Sequence, residues 1–242
     1  MTAAHRLLAF DTSTEQLSAA LLAGGVVTQR SGPGGAQAST TLIPMLEDLL
    51  RQAGLAFAQL DAVVFGRGPG SFTGLRTACA AAQGIAYGAR GAARPGGLPV
   101  LPVDTLAAVA ESARLGGAGE RIVATLDARM DEVYAQALQY DSVSARWIAV
   151  EGAARLYRPE DLPLPEGWVL AGNARAAYGE RLAGAAPQSV HLLPDAAALL
   201  SLAPGLIAAA GLVDAAQALP LYVRDKVAKT TEERAAEKKA QA

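Results

Sequence analysis

The sequence predicts an α/β protein of two lobes, each a mixed β-sheet with helices packed against it. Three observations predict it. Short apolar strands alternate with helical runs, turn residues punctuate them, and the order of elements in the first half returns in the second. At 242 residues the chain exceeds what one small core needs, and with 51% apolar and 18% charged residues it can bury an extensive one.

The first half opens on three strands, Leu7 to Phe10, Leu17 to Leu22 and Val26 to Arg30, separated by Asp11-Thr12-Ser13-Thr14 and Gly24-Gly25. After a loop at Gly32 to Gly35, a helix starts near Thr40 or Thr41, where a hydroxyl can cap and Pro44 falls in the tolerated first turn, and ends at Gly54. Ala62 to Phe65 is a buried strand, Gly66 to Gly74 a loop, and Leu75 to Tyr87 a helix closed by Gly88. Pro99 to Val103 is the next strand, and Asp104 caps the helix beyond it.

The second half repeats this order. Ile122 to Leu126, Val133 to Leu138 and Trp147 to Val150 form another trio of strands, followed by Trp168 to Ala171, a helix from Ala174 to Leu182, and Val190 to Leu193. In each half an Asp follows the first strand and an apolar strand restarts six positions later, Asp11 to Leu17 and Asp127 to Val133. The shared order carries more weight than this spacing, and together they indicate duplication. Ala196 to Val213 is uncharged and about as long as a membrane span, but its apolar content is mostly Ala, and Pro204-Gly205 suits a buried helix pair joined by a kink. The expected organisation is a first lobe over 1–104, a second over 105–225 and a charged, solvated tail over 226–242.

Composition narrows the function. The net charge is −2 with scattered positive residues, which argues against a stand-alone nucleic-acid binder and leaves RNA contact to be shared with a partner. Cys79 is the only cysteine, so no intramolecular disulfide forms and a reducing compartment fits; in its Ala-rich helix it reads as a small buried side chain. Leu7 to Phe10 is too short for a signal-peptide core, so a cytoplasmic location without export is expected. The only histidines are His5, read as solvated, and His191, read as structural; no HExxH spacing occurs.

The most specific stretch is Gly66-Arg67-Gly68-Pro69-Gly70-Ser71-Phe72-Thr73-Gly74-Leu75-Arg76, between a strand and a helix. Its glycines and the helix N-terminus could cradle phosphate, together with Asp11, Thr12 and Ser13, as a vestigial site formed with Gly68, Gly70, Ser71, Thr73 and Gly74. A tight turn capped by Ser71 or Thr73 explains the same residues equally well. No Lys precedes the Ser or Thr, so this is no Walker loop.

Asp11 to Thr14, Gly68 to Arg76, Asp127 to Met130 with Glu132 to Tyr134, Gly172-Asn173, Leu193 to Ala196 and Pro220 to Arg224 closely resemble the TsaB family. These are bacterial proteins required for making threonylcarbamoyladenosine in tRNA. The resemblance implies the actin-like, Hsp70-like and sugar-kinase-like (ASKHA) fold. It also implies a heterodimer with the related catalytic subunit TsaD, joined by the ATPase TsaE, in which TsaD modifies the adenosine at position 37. It implies a homodimer when the chain is alone, tRNA contact only through the complex, and no membrane association.

TsaD-like sequences carry two metal-binding histidines four residues apart at the start of the helix after the fifth strand; here those positions are Thr105 and Val109, which offer no such pair. No catalytic residue, metal or cofactor is therefore expected. The helix from Thr41 to Ala53 is apolar over more than one stripe, and the helix holding Ala78 to Ala82, Gly84 and Ala86 is small nearly all round. The resemblance implies that these two helices meet the partner, and Leu42, Met45, Leu46, Leu49, Leu75, Arg76, Cys79, Ala82 and Gln83 are the expected contacts. Two departures stand out: Ala38-Ser39 where many relatives have a His, and a longer, Gly-rich Ala89 to Gly97. The alternative function is an ATP-dependent phosphotransferase with Asp11 organising Mg²⁺, although Asp11 is equally a turn former. A direct RNA-binding module is a third reading, disfavoured by the lack of a basic stripe with interleaved aromatics.

Overall fold

The computed structural model describes residues 5–92, 94–182 and 188–224. The expected tail over 226–242 lies outside the described residues.

The first sheet is built from β1 (Leu7–Asp11), β2 (Gln16–Ala23), β3 (Val26–Pro33), β4 (Ala62–Gly68) and β5 (Val100–Asp104), in the order β3-β2-β1-β4-β5. β1 runs antiparallel to β2 and parallel to β4, because the first connection is a short turn and the second a helical crossover. The second sheet uses β6 (Arg121–Arg129), β7 (Glu132–Asp141), β8 (Arg146–Ala149), β10 (Val169–Gly172) and β11 (Ser189–His191), in the order β11-β10-β6-β7-β8. Each sheet thus reads third, second, first, fourth, fifth strand, with the same parallel and antiparallel neighbours. This matches the duplication that the repeated order of elements indicated. The additional strand β9 (Arg155–Tyr157) pairs with β7; at three residues it is too short to carry a periodic signal.

Among the described residues five α-helices complete the fold: α1 (Ala38–Gln52), α2 (Phe72–Gly88), α3 (Thr105–Leu115), α4 (Ala174–Tyr178) and α5 (Ala196–Ala208). α1 starts before Thr40, straight out of a 3-10 turn at Gly35–Gln37, so Pro44 lies inside the helix rather than in its first turn. Pro44 faces solvent, where the Thr40 carbonyl it cannot serve is also exposed. α2 starts at Phe72, with Ser71 accepting from the Gly74 amide. Asp104 does stand at the N-cap of α3, but its carboxylate makes no cap; Arg67 Nε donates to it at 2.5 Å instead. α5 is one helix with Pro204 inside, not a kinked pair, and no described helix is long and apolar enough to cross a membrane.

The expected extent of the second lobe, 105–225, is too long at its C-terminal end on packing grounds; α3 itself packs on the second sheet. α5 lies on the first sheet, where Ala196, Leu199, Leu202 and Ala203 share a core with Leu7, Ala9, Val64 and Leu101. Ala215 and Ala218 likewise join the core beneath α1 and α2. Residues 196–208 and 213–218 therefore belong with the first lobe. A buried carboxylate ties the lobes together: Glu111 of α3 accepts from Arg114, from Ser201 of α5 and from Trp147 Nε1 of β8.

Candidate functional site

β1 and β4 are parallel neighbours, so the turns that leave them emerge side by side. Asp11 Oδ1 accepts from the Ser13 amide at 2.8 Å and the Ser13 hydroxyl at 2.6 Å, which closes the first turn on itself. The glycine loop then presses onto that turn. The Ser71 amide donates to the Ser13 carbonyl at 2.7 Å, and the Thr12 hydroxyl donates to the Gly74 carbonyl at 2.7 Å. A Cβ on Gly70 would stand 2.6 Å from Ser13, and one on Gly66 would overlap the Asp11 carboxylate. The Gly68 amide donates to Thr105 Oγ1 at 3.1 Å, and the Thr105 hydroxyl points on to Asp11 Oδ2 at 3.4 Å.

The glycines thus let two stretches of backbone touch, and the loop is the tight turn capped by Ser71. Of the residues read as a vestigial phosphate site, Asp11, Thr12, Gly68 and Gly74 are used inside this contact. Ser13, Gly70 and Ser71 border the space between the lobes, and Thr73 faces elsewhere. Asp11 has no exposed surface, so it cannot present both oxygens to a metal in the cleft. Burial pushes its carboxyl up to about 6, against the opposing hydrogen bonds from Ser13 and Thr105.

The interlobe cleft itself encloses about 330 Å³. Opposite Ser13, Gly70 and Ser71 stand Asp127, Arg129 and Asn173. Tyr178 donates its hydroxyl to Asp127 Oδ1 at 2.7 Å, and burial, then the Asp127 carboxylate, push that phenol above its usual range. The β6–β7 hairpin turns through Arg129, Met130 and Asp131, all left-handed with φ of 60°, 56° and 59°. Across the mouth runs the segment 219–224, which the sequence marked only as part of a resemblance. The Leu221 amide donates to the Arg67 carbonyl at 2.7 Å, the Tyr222 ring lies 5.3 Å from Phe72, and Arg224 pairs with Glu132.

Neither histidine-equivalent position offers a ligand: Thr105 and Val109 are both fully buried in the fold. Among the described residues no group of three or more His, Cys, Asp or Glu side chains gathers at one place. His5 is exposed, and His191 is exposed at the end of an edge strand rather than structural. Cys79 is buried, and its thiol donates to the Ala218 carbonyl at 3.0 Å; burial raises its pKa.

The second concave feature is an apolar groove of about 870 Å³ between α1 and α2, lined by Ile43, Phe72, Thr77, Ala80, Ala81 and Gly84 among others. It corrects the list of expected partner contacts. Leu46, Leu49, Leu75 and Ala82 are buried in the protein's own core, as the stripe Ala38, Leu42, Leu46, Leu49 of α1 requires. Cys79 and Gln83 turn to Ala218, and Met45 packs on the core edge. Of the nine, Leu42 and Arg76 line the groove. The residues that floor it instead follow the opposite phase of α2, Thr73, Thr77, Ala80, Ala81, Gly84 and Gly88, a stripe of small side chains legible from helical spacing alone.

Comparison with known proteins accords with this geometry. The family model described as "TsaD: tRNA N6-adenosine threonylcarbamoyltransferase" matches residues 14–242. The "tRNA threonylcarbamoyladenosine biosynthesis protein TsaB" of Haemophilus influenzae is 33% identical, over 91% of this chain and 94% of that protein. The protein of the same name from Escherichia coli is 34% identical, over 92% and 96%. The solved structure of YeaZ from Pseudomonas aeruginosa superposes with a TM-score of 0.80 at 39% identity, over 90% of this chain and 99% of that one. The two like sheets and these full-length matches lead to one conclusion: the chain belongs to the TsaB family and has its actin-like α/β fold.

Proposed function

We propose that this chain is a non-catalytic scaffold subunit in the synthesis of threonylcarbamoyladenosine on tRNA, holding the TsaD paralogue and supporting it together with the ATPase TsaE. Its relatives are named for that biosynthesis. The single observation that carries the scaffold reading is the uncovered groove between α1 and α2. Its floor of Ala80, Ala81 and Gly84 lets a helix approach closely, and Ile43, 37% exposed, offers an apolar edge. The occupant is a helix pair of TsaD, the chain built on the same fold; a second copy of this chain takes that place when TsaD is absent. Asp11, enclosed by Ser13, Gly66 and Thr105, supports the non-catalytic reading over a phosphotransferase.

Reconstitution tests it. The purified chain is combined with TsaD, TsaE, ATP and tRNA, then replaced by Ala80→Arg and Gly84→Glu. Both sites are exposed, and nothing lies within 4 Å of a Cβ on Gly84, so both variants are expected to fold, which circular dichroism checks. The expected result is loss of the TsaD complex and of the modified nucleoside. ATP turnover by the isolated chain would favour the phosphotransferase.

A further inference from the structure

The segment 219–224 runs along α2 and over the mouth of the cleft, and both lobes hold it. On the first lobe the Ala218 carbonyl that precedes it accepts from the Cys79 thiol and the Gln83 amide, both at 3.0 Å. Leu221 lies backbone to backbone on β4: its amide donates to the Arg67 carbonyl, and a Cβ on Gly68 would stand 2.6 Å from its carbonyl oxygen. The Tyr222 hydroxyl accepts from Arg76 Nε at 3.1 Å and the Tyr222 ring packs on Phe72. The Arg76 guanidinium in turn lies 3.8 Å from the centre of the Phe72 ring.

On the second lobe Val223 packs at the edge of the core, and Arg224 reaches the tip of the β6–β7 hairpin. Its guanidinium pairs with Glu132 and donates to the Arg129 carbonyl and to Met130 Sδ, each at 3.3 Å. Arg181 holds the same tip through Asp131 at 2.9 Å. Arg129, Met130 and Asp131 are all left-handed there, a conformation unfavourable for residues with a Cβ, which persists where contacts enforce it. Arg224 supplies several of those contacts, so the hairpin and the segment 219–224 are set together.

Phe72 borders both the interlobe cleft and the groove between α1 and α2, and Arg76 borders the groove. A continuous series of contacts therefore leads from the groove wall, through Tyr222 and Arg224, to the hairpin of the second lobe. We propose that residues 219–224 are a strap that couples occupancy of the groove to closure of the Arg224–Glu132 clasp, and so to the position of the second lobe. With the clasp closed, Tyr222 supports Phe72 and Arg76 and the end wall of the groove is formed; with it open, both side chains lose that support. An occupant that needs the formed wall binds the clasped state more tightly, and by reciprocity its binding closes the clasp. That the occupant is TsaD rests on the scaffold reading, whereas the coupling lies within this chain and is measured there first.

Hydrogen exchange of backbone amides, followed by mass spectrometry on the full chain, tests the strap. Glu132→Ala removes the acceptor of the clasp from the second lobe and alters no residue of the groove. It is expected to speed exchange ~3-fold or more at Leu221 and at residues 75–77 of α2, with β1 unchanged as the sign of an intact fold. An ion pair of local value alone would speed the hairpin 129–132 and leave residues 75–77 as they were, and that result would overturn the proposal. Arg224→Met opens the same clasp from the strap and decides the matter if Glu132→Ala does not fold. In a second arm TsaD is added to the native chain. Binding is expected to slow exchange at 129–132, which borders no part of the groove, and unchanged exchange there would likewise overturn the coupling. A native chain that does not bind TsaD would count against the scaffold reading, and the first arm would still decide the strap.

Discussion

Thr12 grips Gly74 with its side chain and its backbone together. The Thr12 hydroxyl donates to the Gly74 carbonyl, while the Thr12 carbonyl occupies the place a side chain on Gly74 would need. The first turn of the chain and the first turn of α2 are thereby fused, although they lie 62 residues apart. A loop committed in this way positions a helix.

Two glycine-to-alanine changes in the same helix should therefore have opposite signs. Gly74→Ala must drive Cβ into the Thr12 carbonyl, which cannot retreat, and is expected to lower stability by about 2–4 kcal/mol. Gly84→Ala meets open space and is expected to raise it by up to about 1 kcal/mol through helix propensity. Urea unfolding of the two variants checks this, and equal effects would refute the fused-turn account.

The Asp11 carboxyl, raised to about 6 by burial, makes a signed prediction for pH. A group whose folded pKa exceeds its unfolded value near 3.8 contributes stability that is complete below that value and is lost as pH rises through about 6. Asp11→Asn keeps the acceptor oxygen for Ser13 but cannot ionise. Relative to the native chain it should gain roughly 2–3 kcal/mol between pH 4 and pH 7. Denaturation midpoints measured across that range would expose a wrong assignment as two parallel curves.

Glu111 works in the opposite direction. Burial raises its pKa, but hydrogen bonds from Arg114, Ser201 and Trp147 outweigh that and leave it lowered. Its contribution is present above the usual glutamate range and is lost as pH falls through it. Glu111→Ala leaves the Ser201 hydroxyl and the Trp147 indole without their acceptor and is expected to cost about 2–4 kcal/mol at neutral pH. Glu111→Gln should cost less and flatten the loss of stability in acid. A native-like acid response in Glu111→Gln would contradict the hub.

How much of this was legible in the sequence follows from how local each signal is. Strand order and duplication could be read because Leu7, Ala9, Ile122 and Ala124 sit in short apolar runs bounded by turn chemistry. The start of α1 could not, since Gln37 occupies the cap without a capping side chain and a 3-10 turn feeds the helix. Nor could the placement of α5, because its residues are apolar nearly all round and fit either sheet. The glycine loop was read too wide, since β4 runs on through Gly68 and α2 begins at Phe72, and its contacts with Ser13 and Thr12 follow only from the parallel pairing of β1 and β4. Individual residues of α1 and α2 were harder to place: Leu46 and Leu49, the larger apolar residues, are buried in the chain's own core, while the small residues Ala80 and Gly84 line the open groove.

The groove is where the functional account is most exposed, and Gly84→Glu addresses it directly. The variant is expected to fold, because Gly84 is exposed and a Cβ there meets no atom within 4 Å. The decisive measurement is sedimentation of that variant with TsaD, alongside assay of threonylcarbamoyladenosine formation. A folded chain that no longer co-sediments with TsaD and no longer supports the modification is the expected result. A variant that still forms the complex and sustains full modification would contradict it.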